Sequence, residues 1–326
     1  MTARDLGCGT VLAVLIISAV AIGLAFRSDQ QVAAQRITGK SEIIPTRDGP
    51  MEYAEEGHGS PLLMIHGTGG GFDQGLMLSE GISRYGVRVI APSRFGYLRS
   101  SWPADPSSER QADAFVDLLD RLNLDKVAVA GGSAGALSAV QFALRHPERT
   151  SALILIVPAA NVEGHDPNEM SPAQEWLVRR LLTSDFLFWS AKETMGKQLI
   201  GFLLATDPRL LDEMPPAERQ RAYAILNQIL PISRRWRGML NDAKLAGHPA
   251  RVDFGQLRVP LLLLSAADDR FGTARTARAI ARQAPGSRRV IYPTGGHILL
   301  GHQEDSATET ARFVLDHQLE DVASEE

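Results

Sequence analysis

The sequence predicts an α/β fold: a mostly parallel sheet flanked by helices, carrying an inserted helical lid and preceded by an N-terminal transmembrane helix. Three observations carry this expectation. Short β-branched apolar runs alternate with amphipathic helical stretches from about residue 41 to 160, and again after residue 256. Between these blocks lies a helix-rich stretch with no convincing strand. A single uncharged apolar run occupies the N-terminus.

That run is Thr10 to Phe26, with no charge between Asp5 and Arg27. At ~1.5 Å per residue it comes close to the lower limit for crossing a bilayer. Two readings follow. One is an uncleaved signal anchor. The other is a secretory signal peptide with Val32-Ala33-Ala34 as a small-residue cleavage site. Arg27 and Asp29, lying between the apolar run and that site, favour the anchor. Residues 1–28 are thus expected to form the anchor or signal segment, meeting the lipid bilayer through residues 10–26, and residues 29–40 to form a polar tether.

Ser41–Pro45 and Met51–Glu55 read as strands around a turn at Asp48-Gly49-Pro50. Leu62–Ile65 is a buried strand ending in the Gly-rich loop His66-Gly67-Thr68-Gly69-Gly70-Gly71. Neither phosphate-binding glycine spacing is present there. Close backbone approach to a developing oxyanion remains a use for such a loop. Val87–Ala91 is the next strand, and Glu109–Leu122 an amphipathic helix with Ala112, Phe115, Val116, Leu119 and Leu122 on one face.

Val127–Ala130 then runs into Gly131-Gly132-Ser133-Ala134-Gly135 and an Ala/Leu-rich helix over Ala136–Leu144. Between a buried strand and a helix, G-x-S-x-G reads as a strained turn that lifts a serine hydroxyl out of the chain. Gly131 and Gly135 leave room where a Cβ would collide with its neighbours. The next strand is Ala152–Val157. The insertion, residues 159–256, carries helical stretches at Trp176–Trp189, Lys197–Ala205, Pro216–Leu230 and Arg234–Leu245. Strands return at Val259–Leu264 and Arg289–Tyr292, separated by a helix at Ala274–Ala284. Asp305–Leu319 is the closing helix, and residues 319–326 an acidic tail.

Three strands therefore end in Ser133, in Asp268-Asp269 and in His297. Catalysis in open parallel sheets gathers at the carboxyl ends of strands. A serine hydroxyl needs an imidazole to take its proton, and the imidazole needs a carboxylate to fix its tautomer. His302 competes with His297 for the role of base. Thr68, Gly69 and Ala134 can offer backbone N–H groups to an oxyanion.

These residues resemble the α/β-hydrolase superfamily, in its lid-bearing subgroup of esterases, lipases and carbon–carbon bond hydrolases. The match lies in His66-Gly67 with its loop, Ser93-Arg94-Phe95-Gly96-Tyr97, the Ser133 turn, His146-Pro147-Glu148-Arg149, Asp268 and Gly295-Gly296-His297. It covers about residues 41–318. In that superfamily the acid sits three residues after a strand-ending glycine. With Ser265 in the glycine's place, Asp268 is the expected acid and Asp269 the alternative. Ser93 and Phe95 stand where the superfamily commonly has Asp and Gly, and are expected to reshape the mouth of the pocket. The resemblance implies a serine hydrolase acting on an ester or related acyl bond. The apolar lid suggests a small-to-medium hydrophobic acyl substrate. Carbon–carbon hydrolysis, perhydrolysis and a silent binding module are the alternatives.

The composition is ordinary globular and narrows the partners. The chain has 326 residues, 44% hydrophobic and 22% charged, and a net charge of -4 gives no reason to expect nucleic acid. Cys8 is the single cysteine, which excludes an intramolecular disulfide and a cysteine-based metal site. No cofactor and no metal are expected: the histidines, His165 among them, show no metal-ligand spacing. Met77, Met170 and Met195 read as packing. His66 reads as a structural residue holding the Gly-rich loop. Oligomeric state has no signal in the sequence.

Overall fold

The computed structural model describes residues 3–162 and 171–324, so His165 and Met170 lie outside the described residues. The chain opens with a helix α1 (Ala3–Ile37), then β1 (Glu42–Thr46), β2 (Gly49–Glu56) and β3 (Ser60–Ile65). Next come α2 (Phe72–Leu78), β4 (Val87–Pro92), α3 (Ser108–Arg121), β5 (Val127–Gly132), α4 (Gly135–Arg145) and β6 (Thr150–Ile156). The insertion supplies α5 (Pro172–Leu182), α6 (Asp185–Leu203), α7 (Leu210–Glu213), α8 (Pro216–Asn227) and α9 (Trp236–Gly247). The chain then returns to the sheet with β7 (Leu261–Ala266), α10 (Thr273–Gln283), β8 (Arg288–Tyr292) and α11 (Gln303–Ser324).

The sheet order is β1-β2-β4-β3-β5-β6-β7-β8. β2 is antiparallel to β1 and β4, and every other pairing is parallel. β5 lies inside this sheet, with Ala130 opposite Met64 on one side and Ile154 on the other. Helices cover both faces, which is why the central strands read as continuous apolar runs. Along β5 the side chains alternate between the two cores. Val127 and Val129 pack with Phe115 and Phe142, while Ala128 and Ala130 pack with Phe313 and Val314. Leu261 and Leu263 against Leu262 and Leu264 repeat the alternation in β7.

Several expected boundaries move for identifiable reasons. Trp176–Trp189 is not one helix: Ser184 accepts a hydrogen bond from the Leu187 N–H and starts α6 afresh. Lys197–Ala205 belongs to that same α6, which is kinked at Met195. α11 runs on to Ser324, through most of the segment read as an acidic tail.

The largest correction concerns residues 29–40. Instead of a tether, α1 continues unbroken past Arg27 to Ile37. Its apolar part is exposed and, by length and composition, able to cross a membrane. Its last turns dock on the domain. Phe26 packs edge-on against Phe186 and Trp189 at 5.3 and 5.5 Å, and Asp29 accepts the Trp189 indole N–H at 2.8 Å. Ala33 and Ile37 are buried. The spacing of these buried positions on a continuing helix is what the polar-tether reading overlooks.

Candidate active site

β5 delivers Ser133 through a turn that only its neighbours make tolerable. Ser133 itself sits at φ 51°, in the left-handed region that a non-glycine residue rarely enters. Its N–H donates to the Ile156 carbonyl at 2.9 Å, and its carbonyl accepts the N–H groups of Ala136 and Ala159 at 3.0 and 3.1 Å. A Cβ on Gly131 would lie 2.7 Å from Ala139 Cβ, and one on Gly135 only 2.4 Å from the His66 carbonyl oxygen. The two glycines thus let α4 pack against β5 and β3 while the hydroxyl projects outward.

His297 follows the Gly295-Gly296 pair after β8 and meets Ser133 across the sheet. His297 Nε2 lies 2.9 Å from Ser133 Oγ, and Nδ1 lies 2.8 Å from Asp269 Oδ2. A carboxylate only accepts, so Nδ1 carries the proton and Nε2 is free to accept from the serine. His302, the competing base, instead stacks on Tyr292 at 4.2 Å.

The carboxylate that meets His297 is where the structure corrects the sequence. Asp269, not Asp268, faces the imidazole. β7 ends at Ala266, one residue beyond Ser265, and the Asp269 N–H closes a turn onto the Ala266 carbonyl at 3.3 Å. Three residues from the true strand end is therefore Asp269. It is buried, takes the Phe271 N–H on Oδ1 at 2.9 Å and the Thr273 hydroxyl on Oδ2. Asp268 instead supports the loop that carries His297. Its carboxylate accepts the N–H groups of Gly295 (3.2 Å) and Gly296 (2.8 Å), fixing the backbone on which His297 rides.

Of the three backbone donors expected for an oxyanion, Gly69 is already engaged, its N–H donating to the Tyr97 hydroxyl at 3.3 Å. Thr68, exposed on the loop, and Ala134, at the start of α4, remain. A Cβ on Gly67 would lie 3.2 Å from Ser133 Cβ, so this loop backs directly onto the Ser133 turn.

The loop is held by a buried polar network. The Arg94 N–H donates to His66 Nε2 at 3.0 Å, and His66 Nδ1–H donates to the Gly67 carbonyl at 2.7 Å. Burial, with the Arg94 charge beside it, holds the His66 imidazole well below its ordinary range. Arg94 makes a bidentate pair with Asp242 (2.7 and 2.6 Å), and Tyr97 donates its hydroxyl to the same carboxylate at 2.5 Å. Burial, then the Asp242 charge, pushes the Tyr97 hydroxyl well above its usual value, so it stays a donor. Ser93 and Phe95 are both buried. Phe95 belongs to the core, and buried Ser93 takes the Phe72 N–H at 3.0 Å and bonds to Glu52. Sequence reasoning missed Asp242 and Arg235, whose partners lie 148 and 162 residues away. Among the described residues, no three His, Cys, Asp or Glu side chains converge as a metal site requires.

Fold and residue pattern together define the class. A family model described as the alpha/beta hydrolase fold matches residues 60–301, and the chain belongs to that family. Among relatives, it is 25% identical over 294 residues to the uncharacterized hydrolase YcgS of Bacillus subtilis, covering 84% of this chain and 96% of that one. It is 26% identical to a 2-hydroxy-6-oxo-6-phenylhexa-2,4-dienoate hydrolase of Burkholderia cepacia, over 74% and 83% of the two chains. Among solved structures, an α/β hydrolase fold protein from Nakamurella multipartita aligns with a TM-score of 0.67 at 22% identity, covering 84% of this chain and 98% of that chain. A membrane phospholipase A, described as a bacterial virulence factor, aligns with a TM-score of 0.59 at 19% identity. That alignment covers 97% of this chain and 99% of the other, a share that takes in the N-terminal helix.

Proposed function

We propose that this protein is a membrane-anchored serine hydrolase that cleaves an ester or related acyl bond of a small-to-medium hydrophobic substrate. The observation that carries the proposal is the relay Ser133 Oγ to His297 Nε2 at 2.9 Å and His297 Nδ1 to Asp269 at 2.8 Å. In this reading Ser133 Oγ attacks the acyl carbon while His297 takes its proton. Asp269 holds the Nδ1–H tautomer and stabilises the imidazolium that forms. The N–H groups of Thr68 and Ala134 receive the oxyanion. His297 then protonates the leaving group, and the same base activates water to release the acyl-enzyme.

Apolar side chains around these groups support a hydrophobic substrate. Ile229 and Met239 of the insertion lie over Gly69, and Phe271, largely exposed, stands edge-on to His297 at 4.9 Å. In this reading the insertion serves as a lid. The exposed apolar length of α1 supports anchoring, and the full-length likeness to a fold neighbour named as a membrane phospholipase A agrees with it.

Fluorophosphonate labelling of the purified protein in detergent tests the reading. Labelling of the wild type and none of a folded Ser133→Ala variant is the expected result; equal labelling of both would sink it. A profile of p-nitrophenyl ester chain lengths addresses the substrate, and a preference for short charged esters would count against a hydrophobic one. The second reading, carbon–carbon bond hydrolysis on the same triad, is favoured by the dienoate-hydrolase relative. Product analysis with a ring-fission dienoate separates the two.

A further inference from the structure

The end of the N-terminal helix reaches the scaffold of the oxyanion loop. Arg36 donates from Nε to Asp73 Oδ2 at 2.9 Å, and from Nη2 to the backbone carbonyls of Gln228 (3.0 Å) and Leu230. Each of these partners leads to the same loop. Asp73 lies in the first turn of α2, directly after Gly71. Its carboxylate also takes two bonds from the buried Arg235, at 3.0 and 2.8 Å, and Arg235 Nη1 donates in turn to the Gly70 carbonyl. Gln228 and Leu230 bracket Ile229, whose Cγ1 stands 3.1 Å from where a Gly69 Cβ would be. Arg36 thus holds the loop from beneath through Asp73 and Arg235, and from above through Ile229.

We infer that Arg36 is a positioning residue for the oxyanion hole, and that Phe26–Ile37 forms part of the catalytic scaffold. The inference rests on the serine-hydrolase reading of Ser133, His297 and Asp269. An oxyanion donor acts only within a few tenths of an ångström of its ideal distance. A small shift of residues 67–70 therefore weakens transition-state stabilisation more than it disturbs apolar ground-state contacts. Arginine suits this post because its planar fork satisfies a carboxylate and backbone carbonyls at once, which a lysine ammonium on a single stem does not.

A consequence follows for the N-terminus. Cleavage after Ala34 would leave Arg36 on a stub without the helix that holds it. The Phe26 and Asp29 contacts and the buried Ala33 would go with the released piece. So short a remnant does not stay helical by itself in water. Anchored and active are then the same state of the molecule.

The test uses the full-length protein in detergent, with kcat and KM for a p-nitrophenyl ester, fluorophosphonate labelling and thermal unfolding. Arg36→Gln is expected to lower kcat by roughly tenfold to a hundredfold, part of the loss seen when an oxyanion donor is removed outright. KM should change by a clearly smaller factor than kcat, because the oxyanion interaction is made in the transition state and only the Ile229 contact bears on ground-state binding. Arg36→Lys should recover part of kcat. A folded Arg36→Gln variant with wild-type kcat, or with a loss confined to KM, overturns the inference. Should Arg36→Gln not fold, Arg36→Lys decides: a loss in kcat larger than any change in KM supports it, and full kcat overturns it. Failure of the underlying reading has a different signature, namely wild-type turnover that survives Ser133→Ala.

Discussion

Replacing one or the other of two adjacent aspartates by asparagine separates their roles sharply. Asp269 Oδ1 accepts the Phe271 N–H, while Oδ2 faces His297 Nδ1 and the Thr273 hydroxyl. In Asp269→Asn the amide oxygen stays with the Phe271 N–H, its one obligate donor, and the NH2 turns toward His297. An NH2 cannot accept, so the imidazole proton moves to Nε2, the nitrogen that must receive the Ser133 proton. In a serine protease the equivalent change costs ~10⁴ in kcat, or about 5.4 kcal/mol of transition-state stabilisation. The same order is expected here. Asp268→Asn leaves His297 its carboxylate and replaces one of two acceptors for the Gly295 and Gly296 N–H groups. That costs about 1–3 kcal/mol of stability, with a kcat loss below about tenfold. The assay is kcat on a p-nitrophenyl ester, paired with the second-order rate of fluorophosphonate labelling and a denaturation curve. A larger kinetic loss in Asp268→Asn than in Asp269→Asn would refute the assignment and the tautomer argument with it.

Other perturbations probe the supporting structure. Gly135→Ala should destabilise the fold toward the upper end of the ~1–3 kcal/mol typical of overpacking, because the new Cβ meets carbonyl oxygens rather than a movable side chain; a denaturant midpoint matching wild type would show that α4 can shift. Asp73→Ala strands the fully buried Arg235 guanidinium and should cost about 3–5 kcal/mol by chemical denaturation. Stability should also fall as pH drops from 7 toward 5. The His66 pKa is depressed by burial and by Arg94, so in this window the unfolded chain binds a proton that the native state refuses. The contribution is fully present above the unfolded value near ~6.5 and is lost as pH falls toward the folded value, with a slope approaching ~1.4 kcal/mol per pH unit. His66→Gln should flatten the measured slope by that amount, and an unchanged slope would count against a neutral His66.

Local backbone demands and periodicity were open to reading in the sequence. Alternation along Val127–Ala130, glycines on either side of Ser133 and the strand-ending His297 each encode a conformation within a few residues, so the sheet, the turn at Ser133 and the strand-end position of His297 were legible. What depended on through-space neighbours was not. The choice between Asp268 and Asp269 turns on a one-residue difference in where β7 ends, and that end is set by the Ala267 N–H pairing with the Tyr292 carbonyl at 2.8 Å. The Gly69 N–H is taken by a tyrosine hydroxyl 28 residues away. Arg94 finds Asp242, and Arg235 finds Asp73, only when the insertion folds back over the strand ends. Arg36 looks like one more charge after an apolar run until α1 proves continuous and docked. The sequence by itself determined the α/β fold and the Ser133 turn, because those are written in local geometry. Tertiary structure alone decided which histidine and which carboxylate meet Ser133 in one chain of contacts and what holds the Gly-rich loop, because ion pairs and hydrogen bonds across the fold leave no periodic trace along the chain.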